Sequence, residues 1–161
     1  MERPPNTKLE TNVRYKFRMA LKLIALDDQD LGIVSAHVQD AVMKVSDLEF
    51  LPAAKRFVLT MNRFVWEAKS SLFRQHNERR QAVLHFDRVL GAKTSGIARD
   101  KPAEVLSLLA ISFVEISKPA GIVELIFSGG GTIMLDVECI EARLADIGGT
   151  WEASSRPVHR A

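Results

Sequence analysis

Two periods of apolar residues alternate along the chain, one typical of strands and one typical of helices. Residues 21–26 are a short apolar run, which predicts a buried strand, and the acidic residues that follow suit the N-terminus of a helix. The next apolar positions are spaced as on one face of a helix: Leu31, Val34, Val38 and Val42. The pattern therefore predicts a helix over about 28–43.

After this helix, apolar and polar residues alternate as in a hairpin whose turn is 52–55. The second arm begins with three apolar residues of one parity, Phe57, Leu59 and Met61. Phe64 and Trp66 have the other parity. Because side chains alternate strictly along a strand, we expect a β-bulge near Asn62 and Arg63 that returns both aromatic side chains to the core face.

Four further strands are predicted in the second half, separated by turns rich in glycine, proline and charged residues. They cover residues 82–97, 105–116, 122–127 and 132–137. The polar residues 68–81 predict a loop before them, and the run 105–116 is apolar on both faces. Gly129, Gly130 and Gly131 lack the lysine and the following helix of a phosphate-binding loop, so we interpret them as a hairpin turn.

The last patterned segment, residues 138–149, predicts a helix. Ile140, Leu144 and Ile147 lie at i, i+4 and i+7, and a glycine suited to a left-handed cap follows. About seven strands and two helices then form a single α+β domain over residues 20–151. We expect a mainly antiparallel, strongly bent sheet or a partly closed barrel, capped by the C-terminal helix. This order of elements is similar to pleckstrin-homology-like barrels, an analogy of fold alone.

Charge is concentrated in one tail. The chain has 161 residues, 47% of them hydrophobic and 26% charged, which is an ordinary globular mixture, and its formal net charge is +2. Residues 1–19 carry five basic and two acidic side chains, a balance of +3, so we interpret them as a flexible basic extension. The remainder has a charge of −1 and offers no broad phosphate-binding face, so nucleic acid is not an expected partner. Residues 152–161 are a polar tail.

Cysteine content and hydropathy narrow the class of protein further. Cys139 is the only cysteine, which excludes an internal disulfide and any multi-cysteine metal site, and we expect it to lie in the core. No apolar run reaches the roughly 18 residues of a membrane span, and the N-terminal residues do not resemble a secretory signal. We therefore expect a cytoplasmic protein that does not enter membranes.

Candidate chemistry is sparse. The histidines lack the spacing of a metal site, so no metal and no cofactor is predicted; they are His37, His76, His85 and His159. His85 and Asp87 share one face of a predicted strand, with Arg88 on the other. A histidine–carboxylate pair is able to act in general acid–base catalysis, but a solvated cross-strand pair is the commoner interpretation of this pattern. No nucleophile stands beside a base, so no catalytic residue is predicted and we favour a protein that is not an enzyme.

Two functions remain. The first is a non-catalytic interaction module that forms a homo-oligomer or binds a protein partner through the apolar strand 105–114. The alternative is a small-molecule-binding barrel with a site near the expected bulge and the face of the next strand. Its ligand-binding residues would be Asn62, Arg63, Trp66, His85, Asp87 and Arg88.

Several stretches, in one order, resemble a known family. They are residues 21–42, 56–67, 79–90, 105–113 and 129–148. Together they are similar to a bacterial family called domain of unknown function 2948, over the chain from Leu21 to about Trp151. The resemblance implies a small intracellular bacterial protein with no assigned activity. It carries no catalytic residue over to this chain.

Overall fold

A computed structural model describes residues 20–66 and 78–147, which form ten β-strands and one α-helix. In chain order these are β1 (Lys22–Ala25), α1 (Asp28–His37), β2 (Val42–Lys44), β3 (Leu48–Leu51), β4 (Arg56–Phe64), β5 (Arg79–Asp87), β6 (Val89–Ser95), β7 (Val105–Ser117), β8 (Ala120–Phe127), β9 (Thr132–Val137) and β10 (Ala142–Asp146). The predicted extension 1–19, the tail 152–161 and most of the predicted loop 68–81 lie outside the described residues.

All strand pairs are antiparallel, which confirms the predicted α+β class with a mainly antiparallel sheet. The strand order is β1-β10-β5-β4-β2-β7-β8-β9-β6, and β3 pairs with β4 beside β2. The described strands number ten rather than about seven. The end of the first predicted helix forms β2, the predicted strand 82–97 is divided into β5 and β6, and the predicted C-terminal helix forms β10.

The sheet folds over its own core because two of its strands bend together. β5 and β6 are separated only by Arg88, which has a left-handed backbone (φ 62°). Alongside them, the N–H of Asp87 donates to the carbonyl of Glu141 at 2.8 Å, and the N–H of Glu138 donates to the carbonyl of Arg88 at 3.0 Å. The ladder between β5–β6 and β9–β10 therefore continues through the bend. Within the described residues no ladder joins β3 to β6, so the barrel is not closed.

The core lies inside this bend and follows the two-residue period of the strands. Inward positions of β4 and β5, such as Leu59 and Leu84, are completely buried. The helix α1 covers one side of the core with Leu31 and Val34. Its hydroxyl-bearing Ser35 accepts a hydrogen bond from the N–H of Ile111 in β7 at 2.9 Å, which fixes the helix against the sheet.

The helix begins where the acidic residues predict and ends earlier than expected. Asp27 is the N-cap, and its carboxylate accepts from the N–H of Asp30 at 2.8 Å. The prediction of a helix to residue 43 is wrong, because Asp40 takes a left-handed conformation (φ 64°) and Val42 starts β2. A residue four positions along shares a face in a strand as it does in a helix, so the spacing of Val38 and Val42 fits both.

The predicted C-terminal helix is also wrong. The described part of that segment forms β10, which pairs with β5 and β1. Ile140, Ala142 and Leu144 are buried in alternation, while Arg143 points outward. Ile140 and Leu144 match the i, i+4 spacing of a helix because that spacing is also two strand periods. Without this helix the likeness to pleckstrin-homology-like barrels does not hold.

The hairpin and glycine-turn predictions are confirmed, but the predicted bulge is wrong. β3 pairs with β4 around the turn 52–55, and β8 pairs with β9 around Gly129–Gly131. The β4–β5 register runs without a break from Arg56 to Phe64. Bulges occur instead in β7, between Leu108 and Ala110, and in β6, between Val89 and Gly91.

Candidate functional site

The outer surface at the bend carries a network of charged side chains centred on Asp87. Arg56 lies directly across the β4–β5 ladder from Asp87, and Arg143 of β10 lies across from His85. The Asp87 carboxylate accepts a hydrogen bond from Arg56 Nε at 2.7 Å and another from Arg143 Nη1 at 3.3 Å. Two guanidinium groups therefore hold this carboxylate in place through charge-assisted hydrogen bonds.

His85 stands beside this carboxylate without a hydrogen bond to it. Its Nδ1 lies 3.5 Å from Asp87 Oδ2, and that nitrogen is buried with no hydrogen-bond partner among the described residues. Burial lowers the pKa of His85; Asp87 raises it, and the positive charges of Arg56 and Arg143 lower it further. The net shift is downward, so His85 is neutral at pH 7.

The remaining charged residues of the network form ion pairs with each other at the bend. Arg88 Nε lies 3.4 Å from Glu141, and Arg88 Nη1 lies 3.7 Å from Glu138. Glu138 also pairs with Lys55 at 3.2 Å. The hydrogen bond from Arg88 to Glu141 raises the pKa of the arginine. Each of the three carboxylates in this network has a cationic partner, so the network stabilises the bend rather than presenting a free base.

Asn62 and Trp66 lie at the other end of β4, away from this network. His85 is opposite Val58, and four residues along a strand separate Val58 from Asn62, a distance of about 13 Å. Trp66 Nε1 donates to the carbonyl of Gln39 at 3.0 Å, and its ring packs on Phe64 with centroids 5.3 Å apart. These contacts attach the end of β4 to the chain that follows α1.

Arg63 faces the interior, which is the consequence of the missing bulge. Its side chain and that of Asp146 in β10 are 0% and 1% exposed. Arg63 Nε and Nη2 donate to the two carboxylate oxygens at 2.8 and 2.9 Å, and Nη1 donates to the carbonyl of Phe64 at 3.0 Å. Asp146 Oδ2 also accepts from the N–H of Leu21 at 2.8 Å. The pair joins β4, β10 and the start of β1.

The six residues predicted from the sequence are thus divided among three places. His85, Asp87 and Arg88 meet at the bend, Asn62 and Trp66 lie at the far end of β4 and just beyond it, and Arg63 is in the core. Cys139, predicted to be a core residue, is only partly buried. It lines a separate cleft of about 320 Å³ with Ile140, Phe113 and Leu26.

A site that the pattern did not indicate opens between the unpaired edges of β3 and β6. We call this opening the wall window; it has a volume of about 310 Å³. Its apolar lining is Val45, Leu48, Phe50, Phe57, Ala92, Ile97, Pro102 and Ile133, and its polar lining is Ser46, Thr94 and Arg99. The space exists because β6 has small residues, Ala92 and Thr94, at inward positions where other strands have leucine or phenylalanine. These two small residues were the only signal of the wall window in the sequence.

Backbone hydrogen bonds close both ends of the wall window. At one end the N–H of Val89 donates to the carbonyl of Lys55 at 3.0 Å. At the other end the carbonyls of Pro102 and Glu104, in the turn 98–104, accept from the N–H groups of Ser46 at 3.0 Å and Val45 at 2.9 Å. The wall window is therefore a bounded opening with an apolar floor, a shape that suits a small molecule.

Within residues 20–66 and 78–147, no group of three or more histidine, cysteine, aspartate or glutamate side chains is placed to hold a metal ion. No helix of the described chain is both long and apolar enough to cross a membrane.

Comparison with known proteins gives one match. A family model described as "Protein of unknown function (DUF2948)" matches residues 21–159. No curated protein and no solved structure matches the chain.

Proposed function

Since the chain belongs to the DUF2948 family of proteins of unknown function, we propose a function from the geometry: it is a non-catalytic module that binds a small, mainly apolar molecule in the wall window. The observation that carries this proposal is a mainly apolar opening in the sheet, about 310 Å³ in volume, with three polar residues in its lining. Pockets of this kind are the usual sites of small ligands.

The lining indicates what kind of molecule fits. Phe57 and Ile133 form a buried floor, and Phe50 lies beside Phe57 with ring centroids 6.5 Å apart. Apolar contact with this floor contributes about 25 cal/mol for each Å² removed from water. Arg99 and Thr94 supply a cation and a hydroxyl for one anionic or hydrogen-bonding group. The expected ligand has an apolar ring or chain and a single acidic end.

The test uses anilinonaphthalene sulfonate, an aromatic sulfonate whose fluorescence rises in apolar surroundings. The wild-type protein is expected to bind it saturably. Ala92→Phe fills the wall window and should weaken binding at least about tenfold, whereas Arg99→Gln should weaken it about threefold. Ala110→Phe, the same change on the outer face of β7, is the matched control, and circular dichroism verifies that each variant is folded. Equal binding by Ala92→Phe and Ala110→Phe would refute the proposal.

A second candidate function, self-association, is favoured by the outer face of β7. Val114 and Ile116 are 51% and 67% exposed, and Val114 lies directly opposite Ile122 of β8. Adjacent exposed apolar side chains on a sheet are typical of a surface that another protein covers. A second copy of this chain is the simplest partner, and a cytoplasmic homodimer is the form that we propose.

Light scattering after size-exclusion chromatography tests this second function. The wild-type protein should elute as a dimer, and Ile116→Glu should shift it to a monomer because a buried, unpaired carboxylate is costly. Ile24→Glu, at an exposed apolar residue of β1, is the control and should leave the dimer unchanged. A wild-type protein that is monomeric at every concentration would rule out the dimer.

A further inference from the structure

A second arginine faces the interior directly opposite Arg63. The β4–β5 register pairs Arg63 with Arg80, and Arg80 has the inward parity of Ala82, Leu84 and Phe86. Its side chain is only 9% exposed. The end of the core next to the start of β1 therefore contains two guanidinium groups side by side.

The two guanidinium groups differ in how well they are satisfied. Arg63 donates to both oxygens of Asp146 and to a backbone carbonyl. Among the described residues Arg80 has one ionic contact, from Nη2 to Glu78 at 3.6 Å, which is too long for a hydrogen bond. Its Nε and Nη1 are buried and have no hydrogen-bond partner among residues 20–66 and 78–147.

A buried guanidinium group whose nitrogens lack hydrogen-bond partners is uncommon. The large majority of buried side-chain polar atoms in native proteins have a hydrogen-bond partner, and an arginine cannot avoid the cost by losing its proton. Among the described residues only three buried side-chain nitrogens lack a partner, and two of them belong to Arg80. The third is His85 Nδ1, which a neutral imidazole tolerates as an unprotonated nitrogen. Arg80 thus calls for acceptor oxygens that the described chain does not supply.

We propose that Arg80 is the recognition group of a second ligand site, one that takes a small carboxylate monoanion. Carboxylate oxygens are strong acceptors for a guanidinium. A doubly charged phosphate is less suitable, because Asp146 and Glu78 already place two negative charges beside the two arginines. Glu78 contacts Arg80, and its side chain is 30% exposed against 9% for Arg80.

This site is separate from the wall window. Phe57, on the floor of the wall window, and Arg63, beside Arg80, are six residues apart on β4, which is about 20 Å along a strand. A ligand in one place does not touch the other. Failure of the carboxylate site would leave the proposed function of the wall window intact, and the reverse also holds.

The experiment observes the Nε–H signals of arginine by ¹⁵N-resolved NMR while sodium acetate is added at constant ionic strength. The Arg80 signal is expected to shift saturably with acetate and to show no shift with sodium chloride, and sodium phosphate should bind more weakly than acetate. A trapped water as the only partner of Arg80 would give no saturable shift, and that result would overturn the proposal. Tighter binding of phosphate than of acetate would overturn the choice of a carboxylate.

Two neighbouring variants make the assignment specific. Arg80→Gln removes the charged donors and should weaken acetate binding about tenfold or more, followed through the remaining signals of β5. Arg79→Gln is the matched control, because Arg79 lies on the outer face with its guanidinium 3.9 Å from the centroid of the Phe64 ring. Unchanged affinity in Arg80→Gln contradicts the proposal. If Arg80→Gln does not fold, the shift of the Arg80 signal in the wild-type protein decides.

Discussion

At the scale of single residues, Arg63 shows where reading by polarity fails. It is completely buried, although arginine is seldom fully buried. Its parity matched Phe57, Leu59 and Met61, so the alternation itself indicated an inward side chain. We expected a bulge because Phe64 and Trp66 have the other parity and, as large aromatic residues, were assigned to the core face. The partner that makes burial possible, Asp146, lies 83 positions away and leaves no local signal.

Removing one charge of this pair should be costly. Asp146→Asn leaves the buried guanidinium of Arg63 without its counter-charge, and the free energy of unfolding should fall by about 3–5 kcal/mol. Urea unfolding followed by circular dichroism measures the change. Glu138→Gln breaks the exposed pair with Lys55 and serves as the control, with an expected loss below about 1 kcal/mol. Equal losses in the two variants would mean that the buried pair does not stabilise the fold.

His85 should make stability depend on pH. Its pKa is lowered in the folded protein, mainly by burial, whereas in the unfolded chain it is about 6.5. Below about pH 6.5 the unfolded state therefore takes up a proton that the folded state does not, and stability falls as the pH drops toward the folded pKa.

The variant His85→Gln removes this proton uptake. Urea midpoints measured from pH 8 to pH 5, a range chosen to bracket about 6.5, should fall less steeply for His85→Gln than for the wild-type protein. The two curves should run parallel at the alkaline end, where His85 of the wild-type protein is neutral in both the folded and the unfolded state. Identical slopes throughout the range would contradict the lowered pKa.

At the scale of elements, most strands could be predicted as strands. Ambiguous spacing of apolar residues misled the prediction at the end of the first helix and over the whole of the second predicted helix. The start of α1 was readable because a cap residue and acids marked it. Its end, and the identity of β10, were not, since apolar residues four apart satisfy a helix and a strand alike. Tertiary contacts make this segment a strand, because β10 pairs with β1 on one side and with β5 on the other. A partner distant in sequence overrides the local pattern.

Close packing within the β7–β8 hairpin depends on one glycine. A Cβ atom at Gly121 would contact the carbonyl oxygen of Val114 and lie 2.6 Å from the Phe113 ring. Gly121→Ala should therefore lower the free energy of unfolding by about 1–3 kcal/mol, as overpacking does. Gly91→Ala is the matched control, because nothing lies within 4 Å of a Cβ added there. Thermal unfolding compares the two, and a Gly121 variant as stable as the control would show that the hairpin relaxes freely.

At the scale of the whole molecule, the bent strands make one core out of two halves of the sheet. β5 belongs to the half that contains β4 and β10, and β6 belongs to the half that contains β8 and β9. These pairings could not be predicted, because they join segments far apart in the chain; Phe86, for example, pairs with Ala142. The wall window could not be predicted for the same reason, since its lining combines β3, β6 and the turn 98–104.

A shared core predicts a single cooperative unfolding transition. Leu84→Ala in β5 and Leu135→Ala in β9 each remove a fully buried side chain, and each should cost about 2–5 kcal/mol. Because the halves are joined through the bend, both variants should lower the same transition in calorimetry. Two resolved transitions, each sensitive to one variant, would mean that the halves unfold independently.

The pairing of β1 with β10 has a mechanical consequence. The start of one strand meets the end of the other: the N–H of Asp146 donates to the carbonyl of Leu21 at 2.9 Å. A pulling force applied at these two points would load the hydrogen-bonded rungs between β1 and β10 one after another. The two strands would therefore separate by peeling and not by shear. The first rung to carry the load is also held by the hydrogen bond from the N–H of Leu21 to the Asp146 carboxylate, which Arg63 fixes in place. The two hydrogen bonds between Leu21 and Asp146 must therefore break before the next rung is loaded.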